Sequence, residues 1–442
     1  GVSGAVSGGD DTRMARMPHL LYVAWGFPPA RTGGVHRALA TANHFVERGW
    51  RVTVLTAERE VFERHTGSDP GLEGAVDPRV NVVRLPFRWP AKETDLVRWS
   101  AARVLMPRLW WRWRKYLDTR RFPEPAYGPW AGPLGDAAEA VHRRTPVDLV
   151  VATVNPYVDA VAGQRLAQRH QVPYVLDYRD AWSLDMFSGR TVHAADSRVG
   201  QVEARLIEGA AQVWFVNEAI ATWHQNRHPS AATRVRVVPN GYDTPSTFEP
   251  RLRRSAPVFG YLGTITHHVP VRELLEAWQM ARADGRLPSD AQLRLYGFLG
   301  YYRGADDSMS RLVSGSEDLG VHYRGPVAKG EVQSVYADCD VLVLAMGSGQ
   351  YITSGKTYEY AATGLPIVAV HERGNATTAT LAEYPLIAGP SGLDPADIAA
   401  DLGAAAELAA KVSAADIASA RSWATRFDRA GVLDPRIEEL TP

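Results

Sequence analysis

The chain has 442 residues, more than one hydrophobic core usually supports, so two domains of about 200 residues each are expected. Its 49 Lys and Arg residues balance 49 Asp and Glu residues, which leaves no net charge to attract nucleic acid, and no nucleic-acid partner is expected. The single cysteine, Cys339, excludes an intramolecular disulfide or a cysteine-rich metal cluster and favours a reducing, cytoplasmic location.

The first residues, 1–17, are small, polar and rich in Gly and Ser. They lack the apolar run that a signal peptide needs, and we expect a disordered tail. No stretch of eighteen apolar residues follows, so no transmembrane helix is expected.

From residue 18 onward, short apolar runs alternate with helical patterns, which predicts parallel sheets covered by helices on both faces. The first series has strands at 19–25, 51–56, 80–85, 147–152 and 174–177, with helices at 35–48, 137–144 and 160–170. After a polar linker ending near 256, a second series has strands at 258–262, 292–296, 321–324, 341–345 and 366–370.

The two series predict an α/β protein with two Rossmann-like, doubly wound domains that face a central cleft. We place an N-terminal domain at 18–245 and a C-terminal domain at 246–420. A final helix at 421–442 is expected to cross back to the first domain.

The loop between the first strand and the first helix contains Gly33 and Gly34. Backbone N–H groups at such a helix start can bind phosphate, although a plain tight turn explains the glycines equally well. The loop does not match the Gly-x-Gly-x-x-Gly pattern, which disfavours a nicotinamide-dependent oxidoreductase.

The segment 103–121 is basic and aromatic, and includes Trp110 and Trp113. It can form an interfacial membrane helix, line a ligand pocket, or simply pack with its tryptophans buried. Because its arginines are spread around the helical period, we favour packing or ligand contact over a membrane. Trp110, Trp113 and Asn155 are the candidate ligand-binding residues of the first domain.

Arg179 and Asp180 follow the strand at 174–177, at the carboxyl end where the cleft should open. They are candidate catalytic residues, and the alternative is an ion pair that only fixes the loop. Asp338 and Asp340 resemble a metal-binding Asp-x-Asp motif, but they join a helix to a strand, and we interpret them as structural. No metal site is expected.

The segment 347–366 is the most informative. It is not a P-loop, because five residues separate Gly349 from Gly355 where that loop has four. The pattern instead predicts a helix that begins near Ser354 and ends at Gly364. The helix start, with Ser354, Gly355, Lys356 and Thr357, can bind a diphosphate, and Glu359 can accept hydrogen bonds from ribose; the alternatives are a surface lysine and a solvated carboxylate.

The sequence Gly-Lys-Thr-Tyr-Glu-Tyr-Ala-Ala-Thr-Gly-Leu-Pro at 355–366 resembles the donor-site signature of GT-B glycosyltransferases of family four. Further segments match in the same order, at 26–35, 172–182, 238–243 and 336–344, and the resemblance covers about residues 18–430. It implies retaining transfer from a nucleotide-diphosphate sugar, with UDP or GDP as the nucleotide and neither a metal nor a resident cofactor. It also implies that Lys356 contacts the leaving diphosphate, that the domain at 246–420 binds the nucleotide sugar, and that the domain at 18–245 binds the acceptor. Trp110, Trp113 and Asn155 are then the candidate acceptor-binding residues.

Two positions depart from that family pattern. Tyr351 stands where members often carry the first glutamate of a Glu-x7-Glu pair that ends at Glu359. In the loop where members carry an Arg…Lys pair, this chain has Gly263 to His268, and Arg272 is the nearest cation of fixed charge. Gly263 and Arg272 are the candidate donor-binding residues there.

Several functional alternatives stay open. A sugar-nucleotide epimerase, a catalytically silent nucleotide-sugar-binding protein and an enzyme that couples two non-sugar rings would all suit the same fold. For a transferase, we expect the acceptor to be a small molecule of secondary metabolism or a glycan. Peripheral membrane contact and the oligomeric state are left undecided by the sequence.

Overall fold

The computed structural model describes residues 16–252, 256–299, 307–347 and 349–441. Most of the predicted disordered tail, 1–15, lies outside these residues. The strands are β1 His19–Val23, β2 Arg51–Ala57, β3 Asn81–Leu85, β4 Leu149–Val154, β5 Tyr174–Tyr178, β6 Gln212–Phe215, β7 Val235–Val237, β8 Val258–Leu262, β9 Gln292–Tyr296, β10 Val321–Gly325, β11 Val341–Ala345, β12 Ile367–Val370 and β13 Ile387–Ala388.

Helices follow most of the strands. They are α1 Val35–Glu47, α2 Arg59–Val61, α3 Ala101–Leu105, α4 Pro107–Arg120, α5 Ala131–Arg144, α6 Ala160–His170, α7 Arg198–Gly209, α8 Glu218–Arg227, α9 Val271–Ala283, α10 Asp307–Ser314, α11 Val332–Ala337, α12 Gly355–Thr363, α13 Ala376–Leu381, α14 Pro395–Lys411, α15 Ala414–Ala424 and α16 Arg429–Leu440.

The strands form two sheets with the same winding. The first has the order β3-β2-β1-β4-β5-β6-β7 and the second the order β10-β9-β8-β11-β12-β13. β1 pairs in parallel with β2 and β4, and β8 pairs in parallel with β9 and β11. Each sheet therefore starts in its middle, winds to one edge and returns to wind to the other, which confirms the predicted pair of Rossmann-like folds.

The described residues divide into two compact units, 16–175 with 440–441, and Leu176–Glu439. The change from the first sheet to the second lies between β7 and β8. The domain bounds 18–245 and 246–420 and the central cleft stay predictions.

The central strands are buried along their whole length. All five residues of β8 and of β11 are buried, as expected for parallel strands covered on both faces. The bounds of β8, β9 and β11 are those predicted from the alternation of apolar runs and turns. The loops that follow β8 and β11 carry most of the residues that line the pocket described below.

Helix α5 begins at Ala131, six residues before the predicted start at 137. Gly132, Pro133 and Gly135 have low helix propensity, but proline is tolerated in a first turn. The first turns of α5 are buried at Ala131, Leu134, Gly135 and Ala138. Tertiary packing thus overrides the local preference.

The last helix, α16, contacts strands of the first sheet. Glu439 accepts hydrogen bonds from Gln212 Nε2 on β6 at 2.7 Å and from Arg236 Nε on β7 at 2.9 Å.

Across the described ranges, every helix falls short of the length and apolar character needed to cross a bilayer.

Candidate functional site

A pocket of about 500 Å³ lies at the carboxyl ends of β8 and β11. These neighbouring strands mark the point where the winding of the second sheet reverses, which is where open α/β sheets bind ligands. The pocket is lined by Phe187, Tyr261, Leu262, Gly263, Thr264, Thr266, His268, Val269, Val343, Leu344, Ala345, Met346, Gly347, Gly349, Ile352, Ser354, Lys356, Tyr360 and Asn375. Of the predicted donor-binding residues, Gly263, Ser354 and Lys356 line it.

Helix α12 starts beside this pocket. Its N-cap is Ser354, whose Oγ accepts a hydrogen bond from the Lys356 N–H at 3.2 Å, and it ends at Gly364, which has a φ of 75°. The predicted start and end of this helix are confirmed, because a serine N-cap and a glycine in the left-handed region are strong signals. The positive end of the helix dipole therefore lies beside the pocket.

The side chains of Lys356 and Glu359 form an ion pair with each other. Lys356 Nζ lies 2.5 Å from Glu359 Oε2 and 3.2 Å from Tyr336 Oη, and Tyr336 Oη donates to the same Glu359 oxygen at 3.0 Å. Burial raises the pKa of Tyr336 far above its usual range, so its hydroxyl stays protonated. Tyr336, on α11, was missed by the sequence analysis, because nothing local links it to α12.

Tyr360 fastens α12 to the end of β8. Its buried hydroxyl accepts a hydrogen bond from the Leu262 N–H at 2.9 Å and lies 3.4 Å from the Leu262 carbonyl oxygen. Helix α12 is thereby held at the carboxyl end of a central strand, where Lys356 lines the pocket.

The loops that follow β8 and β11 approach each other closely. A Cβ on Gly347 would lie 2.3 Å from the carbonyl oxygen of His268, so only glycine fits there. Asn375 caps α13 and its Nδ2 lies 3.4 Å from the Gly347 carbonyl oxygen. Three loops at the strand ends are thus packed into one pocket rim.

The segment around Tyr351 is held by Asn217, at the start of α8. Asn217 Nδ2 donates to the Tyr351 carbonyl oxygen at 2.9 Å and lies 3.2 Å from Thr353 Oγ1. Its Oδ1 caps α8 by accepting from the Ile220 N–H at 3.0 Å. Asn217 was also missed by the sequence analysis, since the contact spans more than 130 residues.

The other predicted donor-binding residues lie around the pocket in different settings. The Thr357 side chain is fully buried, 3.4 Å from Thr377 Oγ1, and its N–H donates to the Ser354 carbonyl oxygen. Gly355 is the first residue of α12, with open space where a Cβ would stand. Arg272 is exposed in the first turn of α9. Their roles toward a donor stay predictions.

The predicted catalytic residues Arg179 and Asp180 form an ion pair. The Arg179 Nη2 and Nε atoms lie 2.6 and 3.0 Å from Asp180 Oδ2, and both side chains are half-buried. This geometry is the loop-fixing arrangement that the sequence left open as the alternative. A catalytic role for either residue stays a prediction.

A buried carboxylate, Glu203 on α7, organises the region around that pair. Its oxygens accept hydrogen bonds from the hydroxyls of Tyr178, at 3.4 Å, and Ser183, and His224 Nε2 lies 3.8 Å away. Burial alone would raise the pKa of Glu203, but the contacts with His224 and Ser183 outweigh it and lower the pKa. Tyr178 and Ser183 flank Asp180 in the chain, so Glu203 fixes the loop from both sides.

The first unit has a pocket of its own, of about 670 Å³, at the carboxyl ends of β2 and β3. Its lining combines cations, carboxylates and aromatic rings, namely Glu58, Glu60, Val61, Arg64, His65, Pro86, Phe87, Arg88, Trp89, Pro90, Glu93, Arg98, Trp99, Ser100, Arg103, Trp110 and Arg114. The predicted acceptor residue Trp110 lies in this wall. Trp113 is exposed on α4, and Asn155 is exposed at the end of β4.

The interpretation of α4 as a packed helix with buried tryptophans is wrong. Trp111 and Trp113 are exposed, whereas Arg103 is buried with its guanidinium 3.8 Å from the Trp99 ring centroid and 4.8 Å from that of Trp110. Arg114 is half-buried and pairs with Asp118. Aromatic rings stabilise the inward guanidinium of Arg103, and the Asp118 carboxylate stabilises that of Arg114. Because these arginines occupy the inner side, Trp111 and Trp113 lie on the outer side.

Two buried carboxyl groups lie next to the ends of β1 and β4, the central strands of the first sheet. Glu124 accepts hydrogen bonds from the N–H groups of Tyr157 and Val158 at 3.0 and 2.8 Å, and burial raises its pKa to about 7. Asp159 is fully buried, accepts from the Trp25 N–H at 2.8 Å, and has a pKa well above its usual value because of burial. Both groups hold backbone at the ends of β1 and β4.

Gly34 is the N-cap of α1, as expected of a glycine at that helix start. A phosphate-binding role for Gly33 and Gly34 stays a prediction.

The contacts of Asp338 and Asp340 support their structural interpretation. Asp340 accepts a hydrogen bond from the Val258 N–H at 2.7 Å, and Asp338 pairs with Arg251 at 2.8 Å. Within the described ranges, His, Cys, Asp and Glu side chains form no group of three suited to a metal ion.

Two protein-family models match the two halves of the chain. The model described as a glycosyl transferase 4-like domain matches residues 32–241, and the model described as glycosyl transferases group 1 matches residues 256–408. The search of curated proteins gave no match.

Solved structures resemble nearly the whole chain. A glycosyltransferase from Rickettsia africae ESF-5 is 11% identical, with a TM-score of 0.63 over 96% of this chain and 98% of its own. Anabaena HepE in complex with UDP and glucose is 16% identical, with a TM-score of 0.55 over 96% and 99%. TarM is 9% identical, with a TM-score of 0.61 over 97% and 100%. At these identities the likeness shows the fold.

Proposed function

The chain belongs to the GT-B glycosyltransferases, which use nucleotide-diphosphate sugars, and on that basis we propose that it transfers the sugar with retention to an acceptor held by the first unit. The observation that carries this proposal is the start of α12 at the pocket of the second unit. There Lys356 and the positive helix end lie beside a cavity at the switch point of the sheet.

The reaction needs stabilisation of the leaving group. The bond between the anomeric carbon and the diphosphate oxygen breaks, the acceptor nucleophile forms the new bond from the same face, and the acceptor proton leaves with the diphosphate. Lys356 Nζ and the α12 start supply positive charge where negative charge develops. Glu359, held by Tyr336, supplies the acceptor for ribose hydroxyls.

The donor nucleotide is UDP or GDP in this proposal, and HepE in complex with UDP and glucose makes UDP the first ligand to test. A pocket of about 500 Å³ has the size of ordinary small-ligand sites. The acceptor, a small molecule or a glycan, belongs in the pocket of about 670 Å³ in the first unit, where Trp110 and Arg88 offer a ring face and a cation.

Thermal unfolding in the presence of nucleotides tests the donor assignment. Because a ligand stabilises the folded state by RT ln(1 + [L]/Kd), we expect UDP or GDP to raise the melting temperature, by an amount that grows with the logarithm of [L]/Kd. UMP and GMP are the matched controls, and they should give much smaller shifts because they lack the second phosphate. Equal shifts for mono- and diphosphates, or none at millimolar UDP and GDP, would contradict the assignment.

Measuring donor turnover with and without an acceptor distinguishes a transferase from an epimerase and from a catalytically silent binding protein. A transferase releases the nucleotide diphosphate only with an acceptor and forms a product whose anomeric configuration, read by NMR, matches that of the donor. An epimerase converts the donor with no acceptor present, and a silent binding protein shows donor-induced stabilisation without turnover.

Chelation of divalent metals is expected to leave sugar transfer within about twofold of the untreated rate. The reason is that Lys356 and the helix dipole take the place of a metal at the leaving diphosphate. The measurement compares initial rates in EDTA with rates in EDTA plus excess magnesium. Activity that disappears with EDTA and returns with magnesium or manganese would overturn this proposal.

A further inference from the structure

The first unit exposes a group of large apolar side chains between residues 96 and 116. Val97 is 92% exposed and Leu105 is 77% exposed. We call this surface the α3–α4 face, and its exposed apolar residues are Leu96, Val97, Val104, Leu105, Met106, Leu109, Trp111, Trp113 and Tyr116. Large apolar patches on a folded protein mark sites of interaction.

The same segment is strongly basic. Residues 96–121 contain eight Lys and Arg residues and one acid, Asp118, for a local charge of 8 − 1 = +7 in a chain whose net charge is zero. Six of these eight cations are exposed, all except Arg103 and Arg114. The exposed cations are complementary to a surface of anionic lipid head groups.

The positive charges of α4 are sorted between its two sides. Arg114 faces inward and pairs with Asp118. Arg103 of α3 also faces inward and packs on the rings of Trp99 and Trp110. The remaining cations in the first three turns of α4 are exposed and share one stripe of the 3.6-residue period; they are Arg108, Arg112 and Lys115.

The apolar residues occupy the adjoining stripe. Leu109, Trp113 and Tyr116 are spaced by four and three residues, so they share one side of α4. An apolar stripe with aromatic rings beside a row of cations is the pattern of a helix that lies in the plane of a membrane interface. In the sequence the arginines are spread around the helical period because Arg103 and Arg114, which face inward, are counted with the exposed ones.

We propose that the α3–α4 face docks on an anionic membrane surface, with the apolar stripe inserted among lipid head groups and the cations paired with lipid phosphates. This inference goes beyond the proposed function and does not rest on it. The inner side of the same helix carries Trp110 and Arg114 in the wall of the first-unit pocket, so docking would hold that pocket next to the bilayer.

Co-sedimentation with large unilamellar vesicles tests docking directly. We expect the full chain to bind vesicles containing 30% phosphatidylglycerol in phosphatidylcholine at 150 mM NaCl, to bind pure phosphatidylcholine at least tenfold more weakly, and to be released at 500 mM NaCl by screening. The double variants Arg108→Gln/Arg112→Gln and Leu109→Gln/Trp113→Gln should each weaken binding roughly tenfold or more.

Matched changes outside the face serve as controls. Arg143→Gln/Arg144→Gln removes two exposed cations from α5 of the same unit, and Met280→Gln places glutamine on an exposed apolar position of α9. Both should bind like the wild type. All changes are at exposed positions, and unchanged circular dichroism and melting confirm folding.

Three results would overturn the proposal. The first is a wild-type chain that stays in the supernatant with anionic vesicles at 150 mM NaCl, and the second is binding that both face variants retain. The third is a concentration-dependent dimer that Leu109→Gln/Trp113→Gln converts to monomer without any vesicle binding, which would assign the face to a second copy of the chain.

Discussion

Lys356→Ala weakens the binding of UDP or GDP by roughly 10- to 100-fold while thermal unfolding of the ligand-free protein changes little. The expected loss follows from removing a charged hydrogen-bond donor to phosphate, worth about 1.5–3 kcal/mol. Lys356 is partly exposed in its ion pair with Glu359, so the fold does not depend on it. Isothermal titration calorimetry gives the affinities, and Glu359→Ala should show a similar loss.

Lys411→Ala is the matched control for this change. Lys411 also lies on a helix and pairs with a glutamate, Glu407, one turn away, but it is exposed on α14. Nucleotide affinity should be unchanged in this variant. Wild-type affinity in both Lys356→Ala and Glu359→Ala, with normal melting, would show that the donor does not bind at the start of α12.

Glu203→Gln lowers the free energy of unfolding by about 3 kcal/mol at pH 7, because it uncouples a buried carboxylate from Tyr178, Ser183 and His224. The pKa of Glu203 is lowered in the folded protein, so the stability it provides is present above its ordinary value of 4.5 and is lost as the pH falls through the folded pKa. The deficit of the variant should therefore be largest at neutral pH and shrink in acid. Urea denaturation at several pH values measures both effects.

Glu208→Gln on the same helix is the control, because Glu208 is exposed and its replacement should change stability by no more than about 0.5 kcal/mol. If Glu203→Gln matches this control at pH 7, the carboxylate does not stabilise the loop around Asp180.

The predictable parts of the molecule are those with local signals. Helix α12 was placed from Ser354 and Gly364 alone, because an N-cap and a left-handed C-cap each act within one turn. Strands β8 and β11 were placed because buried parallel strands are continuous apolar runs. These elements carry the start of α12 and therefore most of the donor-binding prediction.

The features that sequence reasoning missed depend on contacts between distant residues. Tyr336 reaches Lys356 and Glu359 across 20 and 23 positions, and Asn217 reaches Tyr351 across 134. The orientation of α4 was also out of reach. The same arginines and tryptophans suit either side of a helix until the partners of Arg103 and Arg114 are known.

The bonds between the Tyr360 hydroxyl and Leu262 have an entropic consequence for ligand capture. They hold the first turn of α12 against a central strand before any donor arrives, so that turn has little conformational freedom left to lose. The ordering cost of binding then falls on the nucleotide and on the Lys356 side chain, which only has to exchange one anionic partner for another. Such a preorganised turn favours donor affinity, because little of the energy of the phosphate contacts is spent on ordering the protein around them.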